Sequence, residues 1–156
     1  MRRILDIVLL LLLTGAPLAA AGQEGPPFER SEVTVVTGKG RFVFAVDLAT
    51  TPAQHAWGLT GRTQLSANAG MLFDLGDTRV VSMWMKDAVI ALDMLFVDAA
   101  GAIVTIEHDA EPHSERLISS QVPVRAILEV NAGTARRLGI DIGDRLIHPL
   151  FGEGAP

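Results

Sequence analysis

From Arg79 onward the chain is built of short apolar runs that follow one another too closely to be helices. They are Val80 to Met85, Ala88 to Val97, Ala102 to Glu107, Val124 to Val130 and Arg145 to His148. Turn residues separate them, most plainly Asp98-Ala99-Ala100-Gly101, so each run reads as a strand. Upstream, Glu32-Val33-Thr34-Val35-Val36 and Arg41-Phe42-Val43-Phe44-Ala45-Val46 flank Thr37-Gly38-Lys39-Gly40, the pattern of a hairpin. Only two segments carry helix signals. Thr51-Pro52-Ala53-Gln54 offers a hydroxyl N-cap, a first-turn proline and a glutamine able to reach back, with Gly58 or Gly61 to stop the helix. The second runs from near Ala132 to Gly139. Dense strands with two short helices predict a mainly β fold, an antiparallel β-sandwich or a partly closed barrel.

The first residues divide into a basic start (Arg2, Arg3), an apolar run from Ile4 to Leu13 broken by Asp6, and a small-residue segment ending Leu18-Ala19-Ala20-Ala21-Gly22. This is the layout of a secretory signal peptide, with Ala19 and Ala21 fitting a cut before Gly22. The expected organisation is residues 1–21 as signal, 22–30 as a flexible Gly/Pro/Glu-rich lead-in, and 31–152 as one domain. No cysteine is present, which excludes disulfides, thiolate metal sites and lipid attachment through a cysteine. Export without disulfides points to a bacterial periplasm and a domain held by its core.

The 156-residue chain has a net charge of −5. Loss of Arg2, Arg3 and Asp6 with the signal would bring this to about −6. An acidic domain without a basic run is a poor match for nucleic acid or anionic lipid, so neither is expected as a partner, and no membrane association is expected once the signal is gone. A small polar molecule or an envelope protein fits better. No cofactor-binding motif occurs, and none is expected.

Polar side chains set into apolar runs are the candidates for function. Along Val80 to Lys86 a strand would turn Ser82, Trp84 and Lys86 to one face and Met83 and Met85 to the other. The first face offers a hydroxyl, an indole and an ammonium in a row. Asp93 lies between Leu92 and Met94, and Glu129 between Leu128 and Val130. Two carboxylates in apolar strands could form an acid/base pair, or each could be paired with Arg62, Lys86 or Arg125 or accept backbone N–H bonds. No activated-nucleophile motif such as Gly-x-Ser-x-Gly accompanies them.

Metal readings rest on less. His108, Asp109, Glu111 and His113 gather oxygen and imidazole donors in one loop, but their spacing matches no defined zinc motif. Met83 and Met85, with Met71 and Met94, could supply soft ligands to a cuprous ion, although methionine is a common core filler. Among the glycines, Gly70, Gly133 and Gly143 are expected to supply positive φ, and Gly133-Thr134 at a helix start could offer N–H groups to an anion.

Taken in order, several pieces resemble the domain-of-unknown-function 192 family. They are Thr51-Pro52, Gly58-Leu59, Arg62, Gly70-Met71-Leu72-Phe73, Trp84-Met85-Lys86, Leu92-Asp93, Phe96, Ala110-Glu111-Pro112, Leu128-Glu129-Val130-Asn131-Ala132-Gly133, Gly139-Ile140 and Gly143-Asp144, from about Val33 to Ile147. Thr60, Asp87-Ala88 and Ala91 depart from the family's usual residues. The resemblance implies a compact, mostly β fold and frequent export, and it brings no established activity.

The leading expectation is therefore a non-enzymatic periplasmic module binding a small polar ligand or a partner protein around Arg62, Trp84, Lys86, Asp93 and Glu129. Its rivals are an envelope hydrolase using Asp93 and Glu129, a cuprous or divalent metal binder, and a purely structural domain.

Overall fold

The structure, a computed structural model, describes residues 25–152. The expected signal peptide and its cut before Gly22 lie outside them. Nine strands and two short helices follow in the order β1 (Glu29–Thr37), β2 (Gly40–Ala49), α1 (Pro52–Trp57), β3 (Ala69–Arg79), β4 (Ser82–Met83), β5 (Leu92–Val97), β6 (Ile103–Ala110), β7 (Ile118–Ser119), β8 (Val124–Asn131), α2 (Thr134–Leu138) and β9 (Arg145–Ile147), then a 3₁₀ turn, Pro149–Phe151. Among the described residues no helix is long and apolar enough to cross a membrane.

Seven strands form one curled sheet in the order β6-β5-β8-β3-β2-β1-β9, and β4 pairs with β7 in a separate ribbon. All neighbours are antiparallel except β2 and β3, which α1 connects in parallel. The sheet curls until its two edges meet. The Leu146 N–H bonds the Gly101 carbonyl at 2.7 Å and the Ile103 N–H bonds the Asp144 carbonyl at 2.8 Å, so β9 bridges to the start of β6. The fold is thus a mainly β, partly closed half-barrel, as the strand spacing predicts.

Side-chain alternation divides the core in two. Val33, Val35, Phe44, Val46, Leu72, Leu95, Leu128, Val130 and Leu146 fill the barrel interior, which α2 plugs with Ala135. The alternate residues of β3, β5 and β8, among them Met71, Phe73, Leu92, Met94, Phe96 and Ile127, form a second cluster on the outer face. Met85 and Ile118, from the segments of the small ribbon, and Leu59, just past α1, cover that cluster. β5 and β8 are sandwiched between the two layers, which is why they read as near-continuous apolar runs.

Local chemistry matches the sequence in places. Thr51 and Gln54 form a capping box, Pro52 opens α1, and the chain turns away at Gly58 with φ +50°. Elsewhere the structure corrects the expectation. β3 is the central strand, yet it was not among the expected runs, because its second half, Asp74 to Arg79, is polar and carries an irregularity. The expected strand Val80 to Met85 shrinks to Ser82–Met83, residues 86–91 are irregular, and β5 begins at Leu92. β1 begins at Glu29, inside the expected lead-in, while Phe28 packs on the outer cluster and Gln54 Nε2 donates to the Pro27 carbonyl at 2.7 Å. Gly70 lacks the expected positive φ. It is glycine because a Cβ there would sit 2.5 Å from the Glu129 carbonyl oxygen on β8.

Candidate functional site

The antiparallel register of β5 and β8 sets Asp93 opposite Val130 and Met94 opposite Glu129. Residues directly opposite share a face, so Asp93 points into the barrel and Glu129 to the outer face. The two carboxyl groups are divided by the sheet. The acid/base pair offered as one alternative for them does not form, which removes the basis of the rival hydrolase reading.

Asp93 is fully buried and has a complete set of partners. Its Oδ1 accepts from the Asp109 N–H at 2.9 Å and the Gly133 N–H at 3.2 Å, and its Oδ2 from the Ala135 N–H at 2.8 Å. Gly133 is the N-cap of α2 and has no side chain to cap with. Asp93 does that work from another strand, satisfying N–H groups that a helix start leaves without partners. The anion foreseen at Gly133-Thr134 is this carboxylate of the chain itself.

The three candidate cations pair elsewhere. Arg62 bonds Asp47, joined by Arg30 at 3.8 Å, in a polar groove with Ser31, Gln64 and Asn68. Arg125 bonds Asp74. Burial disfavours ionisation of Asp74, but the hydrogen bonds from Arg125 and the Gly76 N–H and the charge of Arg125 outweigh it and hold its pKa below the usual value. Lys86 Nζ lies 3.2 Å from Glu115 and 5.6 Å from the centre of the Trp84 ring.

Among the described residues Glu129 is left without a hydrogen-bond or ion-pair partner. Its residue surface is only 5% exposed, no hydrogen bond or ion pair from the described residues reaches its carboxyl, and Met71 and Met94 stand opposite it on the two neighbouring strands. Burial in this apolar setting pushes its pKa up to about 8, so at neutral pH it is mostly protonated. What its carboxyl does face is a cavity of about 380 Å³.

Beyond Glu129 on β8 and Leu92 on β5, three parts of the chain build that cavity. The α1 region contributes His55, Trp57 and Leu59, the end of β3 contributes Phe73, Leu75 and Arg79, and the segment around β4 contributes Met83, Trp84, Met85 and Asp87. His55 is fixed by its Nε2, 3.0 Å from the Ala49 carbonyl, and its ring lies 6.0 Å from that of Phe73. Trp84, 55% exposed, stands where the wall meets solvent. The walls are mainly apolar and aromatic, with a few polar groups, as is usual for small-molecule sites.

Of the five candidate residues, then, Trp84 and Glu129 share this cavity and Lys86 lies beside it on the Trp84 ring. Arg62 belongs to a separate groove, and Asp93 is sealed on the far face. Sequence reasoning missed His55 and Trp57. Both sit on a helix too short to show a periodic face, next to a cap signal that drew attention to its start instead.

The residues offered as alternative metal donors are arranged otherwise. Asp109 bonds Arg136, while His108, Glu111 and His113 are exposed around it. Among the described residues no three His, Asp or Glu side chains are grouped as metal ligands. Met83 and Met85 both line the cavity, as their shared face predicts, but Met85, Met71 and Met94 are at most 1% exposed and act as core filler.

With the geometry in place, comparison with known proteins decides the family. The family model DUF192, described as uncharacterized ACR, matches residues 34–148. The chain belongs to that family. Two solved structures resemble it throughout. One is a candidate transcription regulator from Sinorhizobium meliloti 1021, 45% identical with a TM-score of 0.76, the match covering 81% of this chain and 97% of that one. The other is a protein of unknown function from Novosphingobium aromaticivorans DSM 12444, 36% identical with a TM-score of 0.76, covering 83% of this chain and 94% of that one. No curated protein matches the chain. This DUF192 member thus shares its half-barrel with relatives that bring no assigned chemistry.

Proposed function

We propose that this DUF192 protein is an exported, periplasmic binding module that holds a small molecule in the cavity between α1, β4 and the outer face of the sheet, without catalysis. The observation that carries the reading is Glu129. A nearly buried carboxyl group beside methionines that meets no partner among the described residues is costly to the fold, and a hydrogen-bonding ligand in the cavity would offset that cost. Trp57 and Trp84 supply rigid apolar contact area. Export rests on the N-terminal pattern of a basic start, an apolar run and small residues before Gly22.

The role suggested for the Sinorhizobium meliloti relative is not carried over. A net charge of −5 works against the phosphate contacts on which nucleic-acid binding depends. The test is a thermal-shift screen of the purified protein against small metabolites, repeated on Trp84→Ala and Glu129→Gln. Hits that stabilise the wild type should weaken in both variants. Hits that survive both substitutions unchanged would place binding elsewhere.

A further inference from the structure

The chemistry of the cavity selects among ligands, and this step rests on the binding reading above. We propose that the ligand is an organic ammonium ion: a protonated amine on a compact apolar or aromatic body, its charge placed against Glu129 and its body between the indoles of Trp57 and Trp84. Glu129, mostly protonated in the free protein, releases that proton to solvent as the ammonium binds.

Glu129 is the acidic group set deepest in the wall, and among the described residues no cation pairs with it: Arg62, Lys86 and Arg125 are matched to Asp47, Glu115 and Asp74. The other ionisable residues of the wall are His55, Arg79 and Asp87. His55 is tied to the Ala49 carbonyl, and Arg79 donates to the Leu75 carbonyl at 2.6 Å on an exposed stretch of β3. Asp87 is exposed and adds negative charge on the side of Trp84.

The Trp84 ring already attracts an ammonium, since Lys86 Nζ lies 5.6 Å from its centre. Indole is the aromatic surface that cations favour most. Phe73, Leu59, Met83 and Met85 give the ligand's body an apolar lining, and a volume of about 380 Å³ suits a single small molecule rather than a peptide segment.

Three probes with one body separate the charge from the shape: phenethylammonium, 2-phenylethanol and 3-phenylpropionate, titrated calorimetrically into the full chain. The ammonium should bind at least about tenfold more tightly than the other two, a difference of about 1.4 kcal/mol. Glu129→Gln, close in size, should erase that preference, and Trp84→Ala, at an exposed position, should weaken the ammonium severalfold without loss of folding. If the alcohol or the carboxylate binds as tightly as the ammonium, the cation assignment falls and the binding cavity stands. If none of the three binds to folded protein, the ammonium assignment falls, and the screen above judges the cavity on its own.

Discussion

Asp93 and Glu129 stand on adjacent strands, one register step apart, and project from opposite faces of the same sheet. Asp93 accepts three backbone N–H bonds, and Glu129 accepts none from the described residues. The contrast gives them opposite consequences for the fold.

Asp93→Ala should destabilise the protein by about 3 to 5 kcal/mol, because it leaves buried N–H groups of Asp109, Gly133 and Ala135 without an acceptor. Asp93→Asn keeps the shape and one acceptor, so it should lose about half as much. Urea denaturation of both variants measures this, and a loss below about 1 kcal/mol for alanine would show that α2 does not depend on the cap.

Glu129 should make stability depend on pH in the reverse of the usual carboxylate sense. Below its ordinary value of 4.5 both folded and unfolded chains hold the proton, and nothing is lost. Between 4.5 and about 8 the unfolded chain releases it while the fold keeps it, so stability falls by up to about 1.4 kcal/mol per pH unit. Above that range the loss levels off. Urea midpoints measured from about pH 5 to about pH 8 should therefore fall less steeply in Glu129→Gln than in the wild type. Parallel slopes would count against a buried, unpaired carboxyl.

Gly70→Ala tests the contact between β3 and β8. The added methyl meets the Glu129 carbonyl oxygen at 2.5 Å, and backbone must move to admit it. A loss of about 1 to 3 kcal/mol or more is expected from such overpacking. Amide exchange should report it first in β3 and β8, and unchanged protection there would rule out the steric account.

Trp84→Ala should leave the fold within about 1 kcal/mol of wild type, since the ring is exposed and the Lys86 contact it loses is worth about 0.5 to 1 kcal/mol. A double-mutant cycle with Lys86→Met gives the coupling directly. A thermal midpoint lowered by more than about 10 °C would mean that the indole is a core residue instead.

Much of the fold was legible along the chain because its signals are local. The hairpin of β1 and β2, the capping box of α1 and the glycine end of α2 each depend on residues a few positions apart. β3 escaped notice because only its first half is apolar. Trp84 and Lys86 share one face with Ser82, as the alternation predicts, but that face is exposed and β4 itself ends at Met83.

The candidate site was half legible. Asp93 and Glu129 look alike in sequence, each a single acid among apolar neighbours. Strand-rich character, family membership and the burial of Asp93 and Glu129 are readable along the chain, since these follow from composition and short-range pattern. What each acid meets depends on how the strands pair. Pairing β5 with β8 placed one beneath the start of α2 and the other beside the cavity. Strand register is a long-range choice, and it alone assigns a side chain to one face of a sheet or the other.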